Sequence, residues 1–175
     1  MQSIFENQKI SPQDLPQVAP NDFNSLEKSY RKYLLLSYTL FFLPLLLAVI
    51  ACQFIFQIEN VSLQLYLFGY LLVFGFYLAN ILLVNAAFPR KGYLLRKHDL
   101  LYKSGYLVHR IVAVPKNRIQ HVEIRQGAIA RLFNLSKLLI YTAGGSSSDL
   151  SVPGLNPETA KQLKEHLSLS ISEYE

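Results

Sequence analysis

Tyr33-LLLSYTLFFLPLLLAVIACQFIFQIENVSLQLYLFGYLLVFGFYLANILLVNAAF-Pro89 decides the architecture of this chain. Between Lys32 and Glu59 lie 26 uncharged positions, and 30 more separate Glu59 from Arg90. A helix rising 1.5 Å per residue needs about 20 apolar residues to cross roughly 30 Å of hydrocarbon. Both segments exceed that length, and neither has the polar residue every turn that a soluble core helix shows. The stretch therefore reads as two transmembrane helices joined by the short polar break Gln57–Ser62, which forces them antiparallel. Basic residues set the orientation. Lys28, Arg31 and Lys32 precede the first span, and Arg90, Lys91, Arg96 and Lys97 follow the second, while the break holds only Glu59. Both termini are expected in the cytoplasm and Glu59 outside, in a bacterial inner (cell) membrane.

Inside the spans, Pro44 is expected to kink the first helix. Gly69, Gly75 and Ala79 give the second helix small residues that let a neighbouring backbone approach closely. Asn80 and Asn85 are polar at or near membrane depth, and serve either a partner contact or a hydrogen bond to the first helix; without a charged companion they make a poor ion path. Cys52, the one cysteine of the chain, forms no internal disulfide and reads as a small apolar residue.

At 175 residues, 51% hydrophobic, the chain has room for the hairpin and one small domain. Residues 1–32 form a polar cytoplasmic segment with Pro12, Pro16 and Pro20, expected to be flexible at first. Asn21 or Asn24 is placed to cap a helix running through Leu26 and Tyr30 into the membrane. No cleavable leader pattern opens the sequence, so the first span is expected to stay as an anchor.

Residues 90–175 have another texture. Gly92–Arg96, Leu100–Lys103 and Leu107–Val114 are short runs rich in aromatic and β-branched residues, separated by the turn signals Lys97-His98-Asp99 and Ser104-Gly105. In Ile119–Gln126 apolar Val122 and Ile124 alternate with His121, Glu123 and Arg125, the period of a half-buried strand. Ala128–Phe133 fits one helical turn, Leu135–Thr142 and Leu150–Val152 are strands, and Ala143–Ser148 is a hairpin tip. Asn156, Pro157 and Glu158 open a final helix as cap, first helical residue and acidic first turn. Its apolar stripe is Ala160, Leu163, Leu167 and Ile171. Such an order predicts a small antiparallel barrel or sandwich with a helix closing one end.

The run Val114-Pro-Lys-Asn-Arg-Ile-Gln-His-Val-Glu-Ile-Arg-Gln-Gly127, then Arg131-Leu-Phe-Asn-Leu135 and Tyr141-Thr-Ala-Gly-Gly145, resembles the bacterial pleckstrin-homology-like domain of YdbS-type membrane proteins. The resemblance covers residues 33–168. It implies a pleckstrin-homology-like fold at the cytoplasmic face, no known enzymatic activity, and frequent pairing with a larger membrane protein carrying several such domains; a homo-oligomer is the other expected assembly, and no cofactor is expected. After Arg-x-Phe the family has Gly where this chain has Asn134. Asn tolerates a left-handed backbone best after Gly, so the turn is expected to survive.

From Arg90 onward basic residues outnumber acidic ones 13 to 7. Arg90, Lys91, Arg96, Lys97, Lys116 and Arg118 are the candidate contacts for anionic phospholipid headgroups. A solvated face with ordinary positive-inside bias explains the same charge. No recognition helix or aromatic-and-basic RNA motif accompanies it, so nucleic acid is not an expected partner. His98, His109, His121 and His166 lack metal spacing, although His109 and His121 are expected on neighbouring strands. Gly144-Gly145-Ser146 lacks the Gly-Lys-Ser/Thr of a phosphate loop. With no nucleophile elbow or carboxylate pair, no catalytic or metal site is expected. Two roles remain: a membrane-anchored adaptor that contacts a partner through Gly69, Gly75, Ala79 and Asn80, or a sensor of anionic headgroups. A transporter subunit would need oligomerisation, because two helices line no polar path.

Overall fold

The computed structural model describes residues 18–56, 63–143 and 149–172. The break around Glu59, the hairpin tip Gly144–Ser148, the first seventeen residues and the Ile171 side chain lie outside the described residues. Two long helices, α1 (Lys28–Phe56) and α2 (Leu63–Ala87), stand on a small domain. Both are long and apolar enough to cross a membrane, and almost nothing in their apolar stretches is buried by the protein itself. Such all-round exposure of leucine and phenylalanine is stable only against lipid or another apolar surface. α1 is one continuous helix through Pro44.

The domain holds two open antiparallel sheets. The first, in order, is β1 (Asn24–Ser25), β2 (Gly92–Leu95), β3 (Asp99–Ser104) and β4 (Arg110–Pro115). The second is β5 (Ile119–Arg125), β6 (Ser136–Thr142) and β7 (Leu150–Leu155). A helical turn, α3 (Ala128–Leu132), joins β5 to β6, and α4 (Pro157–Ser172) packs on β5 and β6. One core lies between the layers. It takes Leu100, Tyr102 and Val114 from the first sheet, Val122, Leu138, Ile140 and Val152 from the second, and Ala160, Leu163 and Leu167 from α4. The expected sandwich of short strands with a closing helix is what the chain forms, with the sheets left unclosed.

Two local signals act as the sequence predicts, and a third contact adds to them. The Asn156 side chain accepts from the Glu158 amide at 3.0 Å, capping α4. Asn134 sits at φ 52°, in the left-handed turn expected of it. Gln126 of the Gln-Gly pair donates to the Leu135 carbonyl at 3.0 Å, tying the two ends of the α3 connection.

Three expectations need correction. Asn24 does not cap a helix: it pairs with Tyr93 as part of β1, and α1 begins at Lys28. A two-residue strand has no periodicity to betray it. The third strand begins at Arg110, not Leu107. Gly105 adopts φ +100°, and a Cβ there would stand 1.8 Å from the Val108 carbonyl oxygen, so the chain wraps back before the ladder starts. His109 and His121 are not on neighbouring strands, because His109 precedes β4 of the first sheet and His121 lies in β5 of the second.

Candidate functional site

The first span does not merely tether the domain; its lower end is part of the core. Leu26 and Tyr30 are 4% and 8% exposed, and both pack with residues of the sheets. The Glu27 amide donates to the Gly154 carbonyl at 2.9 Å, fastening the base of α1 to β7. Gly154 lies at φ +69°, and a Cβ there would be 2.5 Å from the Tyr30 ring. Glycine thus serves both the left-handed backbone and the seating of the ring. Tyr30 stacks on Tyr33 at 5.8 Å, and Tyr33 meets Phe133 edge-on at 6.2 Å. The Arg-x-Phe segment therefore braces the point where α1 leaves the domain.

Beside this joint is a cleft of about 380 Å³ lined by Tyr30, Tyr33, Leu34, Arg125, Lys137 and Gly154, among others. Arg125 and Lys137 face each other across β5 and β6. Arg125 is engaged by Glu123 at 2.7 and 3.1 Å, and Tyr141 donates to the same carboxylate at 3.1 Å. The Arg125 hydrogen bond is the main reason the Glu123 carboxyl lies below its ordinary pKa.

The six basic residues singled out for headgroups divide into two places. Arg90 and Lys91 lie at the junction of α2 and β2. Arg90 donates to the Ala86 carbonyl at 2.5 Å and covers the Tyr106 ring at 4.6 Å. Lys91 is half-buried with its ammonium 5.6 Å from the Tyr30 ring, and burial lowers its pKa. The other four are at the opposite end of β2. Arg96 and Lys97 sit in the β2–β3 turn, where Arg96 forms a two-pronged ion pair with Asp99. Lys116 and Arg118 lie in the 3-10 turn Lys116–Arg118, which the Lys116 amide joins to His98 at 2.9 Å. Lys116 is only 4% exposed, and its ammonium is 2.9 Å from His166 of α4.

On α2, Gly69 faces the first helix, where an added Cβ would be 3.7 Å from Val49. Gly75 and Ala79 point outward and line a shallow notch with Phe68, Leu71, Leu72 and Phe76. The three small residues do not share one side. Asn80 donates to Phe76 of its own helix at 2.9 Å. The buried Asn85 Oδ1 has no hydrogen-bond partner among the described residues. Polar contact between the helices comes instead from Thr39 with Tyr77 at 3.0 Å and Tyr70 with Gln53 at 2.5 Å. Isolated hydroxyls in an apolar run gave no sequence signal for those pairs.

A family model described as bacterial PH domain matches residues 34–171, which takes in most of α1, all of α2 and every strand except β1. The chain belongs to the bacterial PH domain family. The UPF0699 transmembrane protein YdbS of Bacillus subtilis (strain 168) is 34% identical over 76 residues, 43% of this chain and 46% of the relative. This chain thus spans about half the length of the curated relative it matches. No solved structure matches it.

This bacterial PH chain is a membrane protein, with a transmembrane relative and two helices of spanning length. Its PH-like module draws β1, Leu26 and Tyr30 from residues before the matched segment. Among the described residues no three His, Cys, Asp or Glu side chains gather into a metal-binding group.

Proposed function

We propose that this chain is a non-enzymatic assembly module: a two-helix anchor that presents a bacterial PH-like domain at the cytoplasmic face to a larger membrane protein bearing domains of the same kind. The observation that carries this reading is the joint at Gly154. A span fastened into the domain core moves with the domain as one body, so a partner gripping the outer face of α2 is coupled to the sheets. Gly75, Ala79 and the notch around them offer that helix a close-packing surface, with Asn80 beside it. The test is purification of the intact protein from its native membranes in mild detergent. Co-purification of a membrane protein carrying PH domains, lost in a Gly75→Leu/Ala79→Leu variant, supports the module. A chain that runs alone at the mass of a monomer contradicts it.

A second reading, sensing of anionic headgroups, draws on Arg90 and Lys91 at the span end and on the paired Arg125 and Lys137 at the cleft. Each well-placed base adds about 1 kcal/mol near an anionic surface. Arg96, Lys97, Lys116 and Arg118 lie too far down the domain to share that surface without a tilt. Native mass spectrometry of the intact protein separates the readings: retained anionic phospholipid that Arg125→Gln/Lys137→Gln releases favours the sensor.

A further inference from the structure

Among the described residues the domain leaves six large apolar side chains exposed outside the spans: Tyr106, Leu107, Val108, Ile111, Leu132 and Leu169. Four of the six belong to one place, the turn between β3 and β4 and the start of β4. Leu107 and Val108 there are 81% and 77% exposed, and Leu132, also at 81%, lies apart from them in α3. Two adjacent aliphatic side chains at a turn tip have no folding reason to be there, since they contribute nothing to the core.

The topology shows where the tip points. β2 starts at Gly92, directly after the end of the second span. β3 runs back antiparallel, so that Lys103 is opposite Gly92 and Ser104 opposite Arg110. By Lys103 the chain has returned to the level at which β2 began, and residues 105–109 project beyond it toward the spans. Arg90 fixes the height. Its guanidinium donates to the Ala86 carbonyl in the last turn of α2 and at the same time covers the Tyr106 ring. Tyr106 therefore lies alongside the final turn of a membrane-spanning helix, with Leu107 and Val108 following it.

We infer that the Tyr106–Val108 turn is a third membrane contact, inserted into the same bilayer that α1 and α2 cross. Tyr106 and Arg90 sit at headgroup level, where an aromatic ring and a cation are both favoured, and Leu107 and Val108 enter the edge of the acyl region. Arg110, exposed beside the tip, adds a second cation for the headgroup layer. The partner is lipid, because the patch is continuous with surface already committed to the bilayer. Two spans and one tip fix the tilt of the domain against the membrane, which two helices alone leave free about their common axis. The inference rests on the chain crossing a bilayer and not on the assembly reading.

The test uses the full chain with Cys52→Ser and a single new cysteine, Leu107→Cys or Val108→Cys, carrying an environment-sensitive NBD dye. Leu169→Cys is the control, one turn beyond His166 and so at the end of the domain remote from the spans. All three are exposed positions, and the two tip variants check each other. In vesicles of phosphatidylcholine and phosphatidylglycerol, doxyl-labelled lipid is expected to quench both tip dyes several-fold more than the control, while aqueous iodide quenches the control preferentially. Tip dyes open to iodide and untouched by doxyl lipid would overturn the inference. So would protection that appears only in native membranes, which would give the tip to a protein partner instead.

Discussion

Gly154 holds the joint between span and domain by lacking a side chain. A Gly154→Ala substitution places a Cβ 2.5 Å from the Tyr30 ring on a backbone at φ +69°. The left-handed conformation alone costs about 1–2 kcal/mol for a residue with a Cβ, before the ring has moved. Thermal unfolding of the purified protein in detergent is expected to show at least that loss. Tyr30→Ala, which opens the space, is expected to make the alanine at 154 cheaper than it is in the parent; equal costs in both backgrounds would dismiss the contact. Asn85 is the reverse case, a buried oxygen with no hydrogen-bond partner among the described residues. An unsatisfied polar group of this kind costs about 1–3 kcal/mol, so Asn85→Leu is expected to be neutral or stabilising in the same melt, unless Asn85 serves a partner. Residue-scale features were legible where the cause is local. Asn134 and Asn156 announce a left-handed turn and a cap through their own chemistry. The role of Gly154 depends on a ring far away in sequence, and the strand expected over Leu150–Val152 stops before Pro153, whereas β7 runs on to Leu155. Strand β7 tolerates that proline because it is an edge strand.

At the scale of elements, the β6–β7 hairpin is closed by Asp149, which accepts from the Thr142 hydroxyl at 2.6 Å and the Thr142 amide at 2.8 Å. The hydroxyl bond, then the amide bond, hold the Asp149 carboxyl below its ordinary pKa. Glu123 is lowered too, chiefly by Arg125. The folded chain thus binds fewer protons at these groups than the unfolded one. Their contribution is complete above the unfolded carboxylate range, about pH 4. It is lost as pH falls through the depressed folded values. The protection of the β6–β7 amides relative to their intrinsic exchange rates is expected to fall below about pH 4 in the parent. Asp149→Asn, which cannot titrate, is expected to flatten that dependence; an unchanged slope would refute the closure. The long helices were legible because length and absence of charge suffice to define a span. Strand β1 was not, since two polar residues carry no pattern. The Leu107–His109 overshoot has a physical cause: apolar residues beside a strand read as strand, whereas Gly105 turns them outward.

For the whole molecule, the domain takes part of its core and one strand from residues before Pro89. Residues 90–175 alone would lose β1, Leu26 and Tyr30, and each buried side chain of that size contributes about 1.5–3 kcal/mol. Against a typical total of about 5–15 kcal/mol, that loss is decisive. The fragment 90–175 is expected to show poor proton-NMR dispersion and no cooperative melt. Joining residues 18–32 to it through a flexible linker is expected to restore both. A fragment that melts cooperatively without them would show the joint to be decoration. The sequence places Leu26 and Tyr30 on a helix entering the membrane but not in a domain core, because nothing near them in the chain is what they pack against.

We propose that the chain crosses a bilayer twice and keeps the PH-like domain and both termini in the cytoplasm. Cysteine labelling in intact cells tests this directly, with Cys52→Ser and a new cysteine at either Glu59 or Glu175. A membrane-impermeant maleimide is expected to label position 59 from outside and to reach position 175 only after the cells are opened. Labelling of position 175 in intact cells would contradict the account.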